Sequence, residues 1–410
     1  MPLPPTDPAT RVLHVTQPVD GGVARVVADL VRAQLAAGLH VTVACPDGGG
    51  LADTLRMLGS DVRPWRATRS PDGGLASELW QLGRIVEETR PDVLHAHSAK
   101  AGLAVRLALR GRLPTVFQPH AWSFEAVGGV TASLALRWER WGARWATRVV
   151  CVSEAERRTG ARAGVAGRWR VIPNGVDPAR FRPADARAVR SGIPLLAGAG
   201  AGSPLVVCVG RLCRQKGQDV LLAAWNSVAR RMPGARLVLV GDGPDGPELR
   251  ARAPASVLFA GAAADAVPWY QAADLVVLPS RWEGMALAPL EAMSCGRPVL
   301  ITDVDGARES LPPGLQDRCL VPAEAPGPLA DALCGLLSDP PLRESLGRRG
   351  RRHVLATHDV RRMADAVTAV YGELLVAQPA SRRRASAGHA ERAEFAARGA
   401  YNECRESIHT

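Results

Sequence analysis

The 410-residue chain has almost no lysine: of its 51 basic residues only Lys100 and Lys216 are not arginine. It has no apolar run near the roughly 18 residues that a membrane-crossing helix needs. Its opening, MPLPPTDPATRVLHV, has no basic segment followed by an apolar one, so no export leader is read there. The eight cysteines stand singly, without a C-x-x-C pair or a matched Cys/His set. That argues against a disulfide framework or zinc module and for reduced thiols in the cytosol. The first strand-to-helix turn, QPVDGGV, lacks G-x-G-x-x-G, which disfavours a dinucleotide-dependent dehydrogenase.

What is present is a globular composition, 47% hydrophobic and 22% charged, in a chain long enough for two domains. The net charge of +11 is uneven. Residues 1–200 carry 26 basic and 17 acidic groups, whereas residues 201–340 carry 12 and 15. A basic amino-terminal half raises nucleic acid or an anionic membrane as partner. The nucleic-acid reading leaves an acidic pair in the second half unexplained.

Short β-branched runs alternate with amphipathic stretches, the pattern of an α/β fold with parallel sheets. Strands are expected at residues 11–16, 40–45, 92–95, 115–118, 149–152 and 170–172, and again at 205–209, 236–240, 257–259, 275–278 and 298–301. Helices are expected at 23–37 and 99–109, among others. The Ala/Gly/Ser/Pro-rich stretch 182–204 suits an exposed connector. The expected organisation is therefore a domain over 1–181, a linker over 182–204, a second domain over 205–358, a closing helix over 359–377 and a disordered tail over 378–410.

VGRLCRQKG, Val209 to Gly217, ends a strand and opens a helix, bringing Arg211 and Lys216 to a turn suited to a diphosphate. VGDGP, Val240 to Pro244, repeats a glycine turn after a strand. In PSRWEGMALAPLEAMSCGRPVLIT, Pro289 fits the first turn of a helix carrying Glu291, and Gly296 fits its end. Glu283 then lies in the preceding loop on the same rim. Such carboxylates accept hydrogen bonds from a ribose diol and a sugar hydroxyl. The plainer alternatives are a solvated basic turn, and a capping acid plus a surface acid.

In their order and spacing, GGVARVV, HAHSAKAG, PHAWSF, VIPNGVDPARF, VGRLCRQKG, VGDGP, AADLVVLPS and the Glu283/Glu291 segment resemble a family 4 glycosyltransferase over about residues 11–375. The resemblance implies the GT-B architecture, two facing Rossmann-like domains, and transfer from a UDP-, GDP- or ADP-sugar with retention and without a catalytic metal or further cofactor. By position, Arg211 and Lys216 would bind the donor pyrophosphate and Glu291 the ribose. Glu283 would meet the transferred sugar, and His120 the sugar or the acceptor hydroxyl. Gly22, Gly210 and Gly241 would let backbone approach the donor, as would Gly284, Met285, Ala286 and Leu287. The acceptor side would include His97, Ser98 and Lys100. A nucleotide-sugar epimerase of the same fold is the alternative enzyme.

Asp303 and Asp305 form a D-x-D pair, read here as a helix-capping turn, in which only Gly306 of a familial glycine pair is clear. His95 and His97 share a strand face but lack a third metal ligand. On a helix through LRWERWGARWATR, Trp138, Trp141 and Trp145 fall within about 60°, beside Arg137, Arg140, Arg144 and Arg148. That stripe is either core or a lipid-facing surface. The sequence thus points to a cytosolic enzyme, peripheral on the inner membrane face, that glycosylates a glycan or lipid-linked acceptor in cell-envelope or exopolysaccharide synthesis.

Overall fold

The computed structural model describes residues 10–68, 74–197 and 202–377. The tail expected to be disordered, 378–410, lies outside them, as do 1–9, 69–73 and 198–201. The amino-terminal sheet contains β1 (Arg11–Thr16), β2 (His40–Cys45), β3 (Asp61–Pro64), β4 (Val93–His97), β5 (Thr115–Gln118), β6 (Arg148–Cys151) and β7 (Trp169–Val171). The second sheet contains β8 (Leu205–Val209), β9 (Arg236–Val240), β10 (Val257–Gly261), β11 (Leu275–Leu278), β12 (Val299–Thr302) and β13 (Leu320–Val321). Their orders are β3-β2-β1-β4-β5-β6-β7 and β10-β9-β8-β11-β12-β13. Neighbouring strands pair in parallel throughout, with Arg11 beside His40 at the start of the β1–β2 ladder and Val209 beside Val240 at the end of the β8–β9 ladder.

These strands are apolar because helices cover both faces of each sheet. The two strands not expected from sequence are edges. β3, Asp-Val-Arg-Pro, is half exposed and has no apolar run, and β13 is two residues long. Chain order reverses between β1 and β4 and again between β8 and β11. The crevices beyond the strand ends at such reversals are where open α/β sheets bind ligands. This is the GT-B arrangement.

The connector is exposed along most of its described length but is anchored. Asp185 caps the short helix Ala186–Ser191, and Arg190 on it pairs with Asp274 at 2.8 Å. The helix Val360–Val376 returns to the first domain and packs on helix Gly21–Ala36. There Glu373 meets Arg148 at 3.2 Å and Arg170 at 2.5 Å. Among the described residues no helix is long and apolar enough to cross a membrane.

Candidate active site

Beyond β8 the chain turns through Arg214–Lys216 into helix Gln218–Arg231. Gly217 has φ +66°, and a Cβ on it would fall 2.1 Å from Pro279 O. The turn therefore lies directly on the loop after β11. Lys216 Nζ forms an ion pair with Glu283 Oε1, to which Ser280 Oγ also donates at 2.7 Å. Arg211 is exposed, and its guanidinium makes no ion pair among the described residues. Gly210 and Gly241 stack back to back, since a Cβ on Gly241 would lie 2.1 Å from Gly210 O.

Glu291 is buried on helix Leu287–Ser294. Tyr270 Oη donates to its Oε2 at 2.6 Å, and Arg25 Nη1, from the opposite domain, donates to its Oε1 at 2.6 Å. Burial, reinforced by Glu291, pushes the Tyr270 hydroxyl well above its ordinary pKa and keeps it a donor. Burial pulls Arg25 down, but Glu291, Tyr270 and Asp29 together outweigh it, so its pKa is raised and the guanidinium stays charged. Gly22 lies not in a loop but in the first turn of helix Gly21–Ala36, and a Cβ on it would stand 3.9 Å from Leu287 Cδ1, so that turn faces the start of this helix across the cleft.

His120 follows β5 in left-handed backbone, φ +56°, and Ala121 continues it at +98°. Such geometry costs about 1–3 kcal/mol per residue and persists only where neighbours enforce it. Glu156 enforces it. Its carboxylate accepts Ala121 N–H at 2.6 Å and Val152 N–H at 2.7 Å. Burial pushes its pKa up to about 7 against the lowering effect of those two donors. Burial, with Asp305 adding, also raises Glu125 to about 7. His120 itself is neutral, burial driving its pKa down to about 3.

Cross-domain bonds surround this turn. Ser153 Oγ donates to Gly284 O at 2.9 Å, and Asn174 Nδ2 to Met285 O at 2.8 Å. Glu309 accepts the Glu154 and Ala155 N–H groups at 2.7 and 2.8 Å, at the start of helix Glu154–Arg162. Asp305 is not a cap: helix Ala307–Ser310 begins at Gly306 without a side-chain cap bond. Asp305 Oδ2 instead accepts Thr159 Oγ1 at 2.6 Å from the other domain. Of the D-x-D pair, Asp305 is therefore an interdomain contact, whereas Asp303 pairs with Arg308 of its own domain.

Of the three residues expected on the acceptor side, His97 and Lys100 are buried. Lys100 is buried, its Nζ 2.8 Å from Glu78 Oε2. His97 is fully buried, whereas Ser98 is partly exposed at φ +79°. The third imidazole beside His95 and His97 is His14, far earlier in the chain and opposite His95 in the β1–β4 pairing. Among the described residues the tryptophan helix is Gly129–Gly142, with Trp145 in the following turn. It is neither simple core nor loose: Trp141 is exposed while Arg106 lies 5.2 Å from the Trp138 ring.

Arg25, Tyr270, Glu156 and His14 were not singled out in the sequence. Glu156 alone had a local signal, the capping pattern Ser153-Glu-Ala-Glu156 directly after β6. The other three reach the site only through packing.

Two family models match the chain. Residues 20–180 match glycosyltransferase family 4 and residues 203–339 match glycosyl transferases group 1. The chain is 34% identical over 197 residues to a D-inositol 3-phosphate glycosyltransferase of Segniliparus rotundus, covering 45% of this chain and 42% of that protein. It is 29% identical over 262 residues to the UDP-Gal:alpha-D-GlcNAc-diphosphoundecaprenol alpha-1,3-galactosyltransferase of Escherichia coli, covering 61% of this chain and 65% of that protein. The chain thus spans less than two thirds of these relatives' lengths. A sucrose-phosphate synthase from Thermosynechococcus elongatus superposes with a TM-score of 0.76 at 25% identity, over 90% of this chain and 100% of that one.

Proposed function

The chain belongs to the family 4 glycosyltransferases of GT-B architecture, and from that premise we propose that it moves a hexosyl group from a nucleoside diphosphate sugar to a hydroxyl of a glycan or lipid-linked acceptor, with retention and without a catalytic metal. The observation that carries this reading is the Lys216–Glu283 contact at the β8–β11 reversal. One lysine and one carboxylate meet there, on the turn that also carries Arg211, unpaired among the described residues. A diphosphate entering the turn would take over Lys216 and Arg211, whose charges offset the negative charge that builds on the departing phosphate. Glu283, released from the lysine, would accept from hydroxyls of the transferred sugar.

Glu291, released by Arg25, would accept from the ribose diol. The backbone N–H groups of Gly284 to Leu287 and the open edge of the Gly22 turn would line the donor. The bonds from Ser153, Asn174 and Glu309 across the cleft would hold the domains together and exclude water around the reacting carbon. The donor phosphate would guide the acceptor hydroxyl onto the face it leaves, giving retention.

A lipid-linked acceptor fits the outward face of helix Gly129–Gly142. Val130, Leu134 and Trp141 are 78%, 58% and 44% exposed. They fall within about 40° on the helix, bordered by exposed Arg137, Arg140 and Arg144. Apolar groups edged with cations suit the boundary of an anionic bilayer.

The test is incubation with UDP-, GDP- and ADP-sugars plus cell-envelope lipid extract, following which donor disappears and which product gains the sugar mass. Isomerised donor without an acceptor product would mark an epimerase instead. No consumption of any donor, with a salt-dependent shift of DNA, would overturn the reading.

A further inference from the structure

Behind His120 runs a row of buried side chains that the transfer chemistry above does not use. His14, His95 and His97 share one sheet face, because β1 and β4 pair with His14 opposite His95 and alternate residues of a strand point the same way. All three are fully buried. Gln34 from helix Gly21–Ala36 and Tyr371 from helix Val360–Val376 contact them from above.

The contacts are sequential. His14 Nε2 lies 2.8 Å from Gln34 Oε1, His14 Nδ1 lies 2.9 Å from His97 Nε2, and His97 Nδ1 lies 3.2 Å from His120 Nε2. Each junction between two ring nitrogens holds a single proton, and a neutral imidazole has one to give. The row therefore has one polarity, set at its closed end. Gln34 presents an oxygen, which only accepts, so His14 Nε2 carries the hydrogen and its Nδ1 accepts from His97. His97 Nδ1 in turn accepts from His120 Nε2–H. Burial keeps the rings neutral, with His14 lowered to about 4 and His97 well below its ordinary value. His120 Nδ1, to which no described side chain hydrogen-bonds, is left with its lone pair.

His14, His95 and His97 are also grouped closely enough to suggest a metal. Two nitrogens on tetrahedral zinc, each at about 2.0–2.1 Å, would sit roughly 3.3 Å apart. The 2.9 Å between His14 Nδ1 and His97 Nε2 is instead the separation of one shared proton.

We propose that Gln34, His14 and His97 are positioning residues that hold His120 in its Nε2–H form, so that Nδ1 faces the cleft as a hydrogen-bond acceptor for a carbohydrate hydroxyl. The identity of that hydroxyl rests on the transferase reading. The tautomer does not, so the two can fail separately.

The experiment is long-range ¹H–¹⁵N NMR of the full chain labelled at histidine, with His120→Gln used to assign the signals. His120 should show a pyrrole-type Nε2 and a pyridine-type Nδ1. A protonated Nδ1, or an even mixture of the two forms, overturns the proposal. His97→Gln preserves the polarity, its oxygen accepting from His120 and its amide donating to His14, whereas His97→Leu abolishes it. Turnover should fall about ten-fold or more in His97→Leu, with the donor KM within two-fold, and should recover in His97→Gln. Should His97→Leu fail to fold, Gln34→Leu, at the far end of the row, should mix the His120 tautomers. An unchanged tautomer in folded His97→Leu or Gln34→Leu overturns the proposal, as does stoichiometric metal in the purified protein. If no sugar is ever transferred, the NMR result still decides it.

Discussion

Arg25 of the amino-terminal domain holds Glu291 of the other domain at 2.6 Å, on the carboxylate oxygen left free by Tyr270. Both oxygens of the acceptor proposed for the ribose are thus already engaged within the protein. On the proposed function, a ribose diol would compete with Arg25 for this carboxylate. A partly exposed ion pair is worth up to about 1 kcal/mol, or about five-fold in affinity. Arg25→Gln should therefore bind UDP, GDP or ADP about five-fold more tightly by calorimetry. Weaker binding would show that Arg25 itself grips the nucleotide.

Lys216→Ala removes the cation at the β8 turn. A preorganised group that stabilises charge in the transition state is typically worth about 10²–10³ in kcat. Turnover of the accepted donor should fall by about that factor with an unchanged far-UV spectrum. Undiminished turnover would refute the pyrophosphate assignment.

Gly284→Ala would place a Cβ 2.9 Å from Glu156 Oε1 and 3.0 Å from Ala121 N. Neither can retreat, since Glu156 already holds two backbone N–H groups. The variant should stay open, with a larger radius of gyration in X-ray scattering and little activity. A wild-type radius and rate would mean that closure does not need this contact.

Acid should unfold the amino-terminal domain early. Burial lowers His14 to about 4 in the folded state, against about 6.5 unfolded. Between those values the unfolded chain binds more protons, so the stabilisation is complete above about 6.5 and is lost as pH falls toward 4. At pH 5 His14 alone accounts for about 2 kcal/mol of that loss. Urea midpoints should drop between pH 7.5 and 5, and His14→Gln, which needs no proton, should drop less. Equal pH slopes would exclude His14 as the cause.

Vesicles containing anionic lipid should sediment the protein at low salt, and Leu134→Asp with Trp141→Asp should abolish this without loss of fold. Binding indifferent to lipid charge would count against the membrane surface.

The sheets were legible because buried parallel strands are continuous apolar runs, as in Leu205–Val209 and Leu275–Leu278. β3 escaped because an edge strand needs only one apolar face. Lys216 and Glu283 were legible because a turn after a strand fixes their place locally. Their direct contact was not, since it depends on Gly217 resting on Pro279. His14 was invisible for a different reason: a histidine in RVLHVT reads as a polar interruption until β4 is laid beside β1. Lys100 was misleading, because a lysine at a strand exit looks the same in sequence whether it meets a ligand or a buried Glu78.

The helix Val360–Val376 has a consequence for how the chain is made. A ribosome releases the first domain's seven strands long before the segment that covers His95 with Tyr371. While the second domain is being synthesised, the imidazole-bearing face of the first sheet lacks its final cover. Biogenesis of the two lobes is thereby tied together: the half begun first is finished last, and a chain stopped before residue 360 leaves that half incomplete.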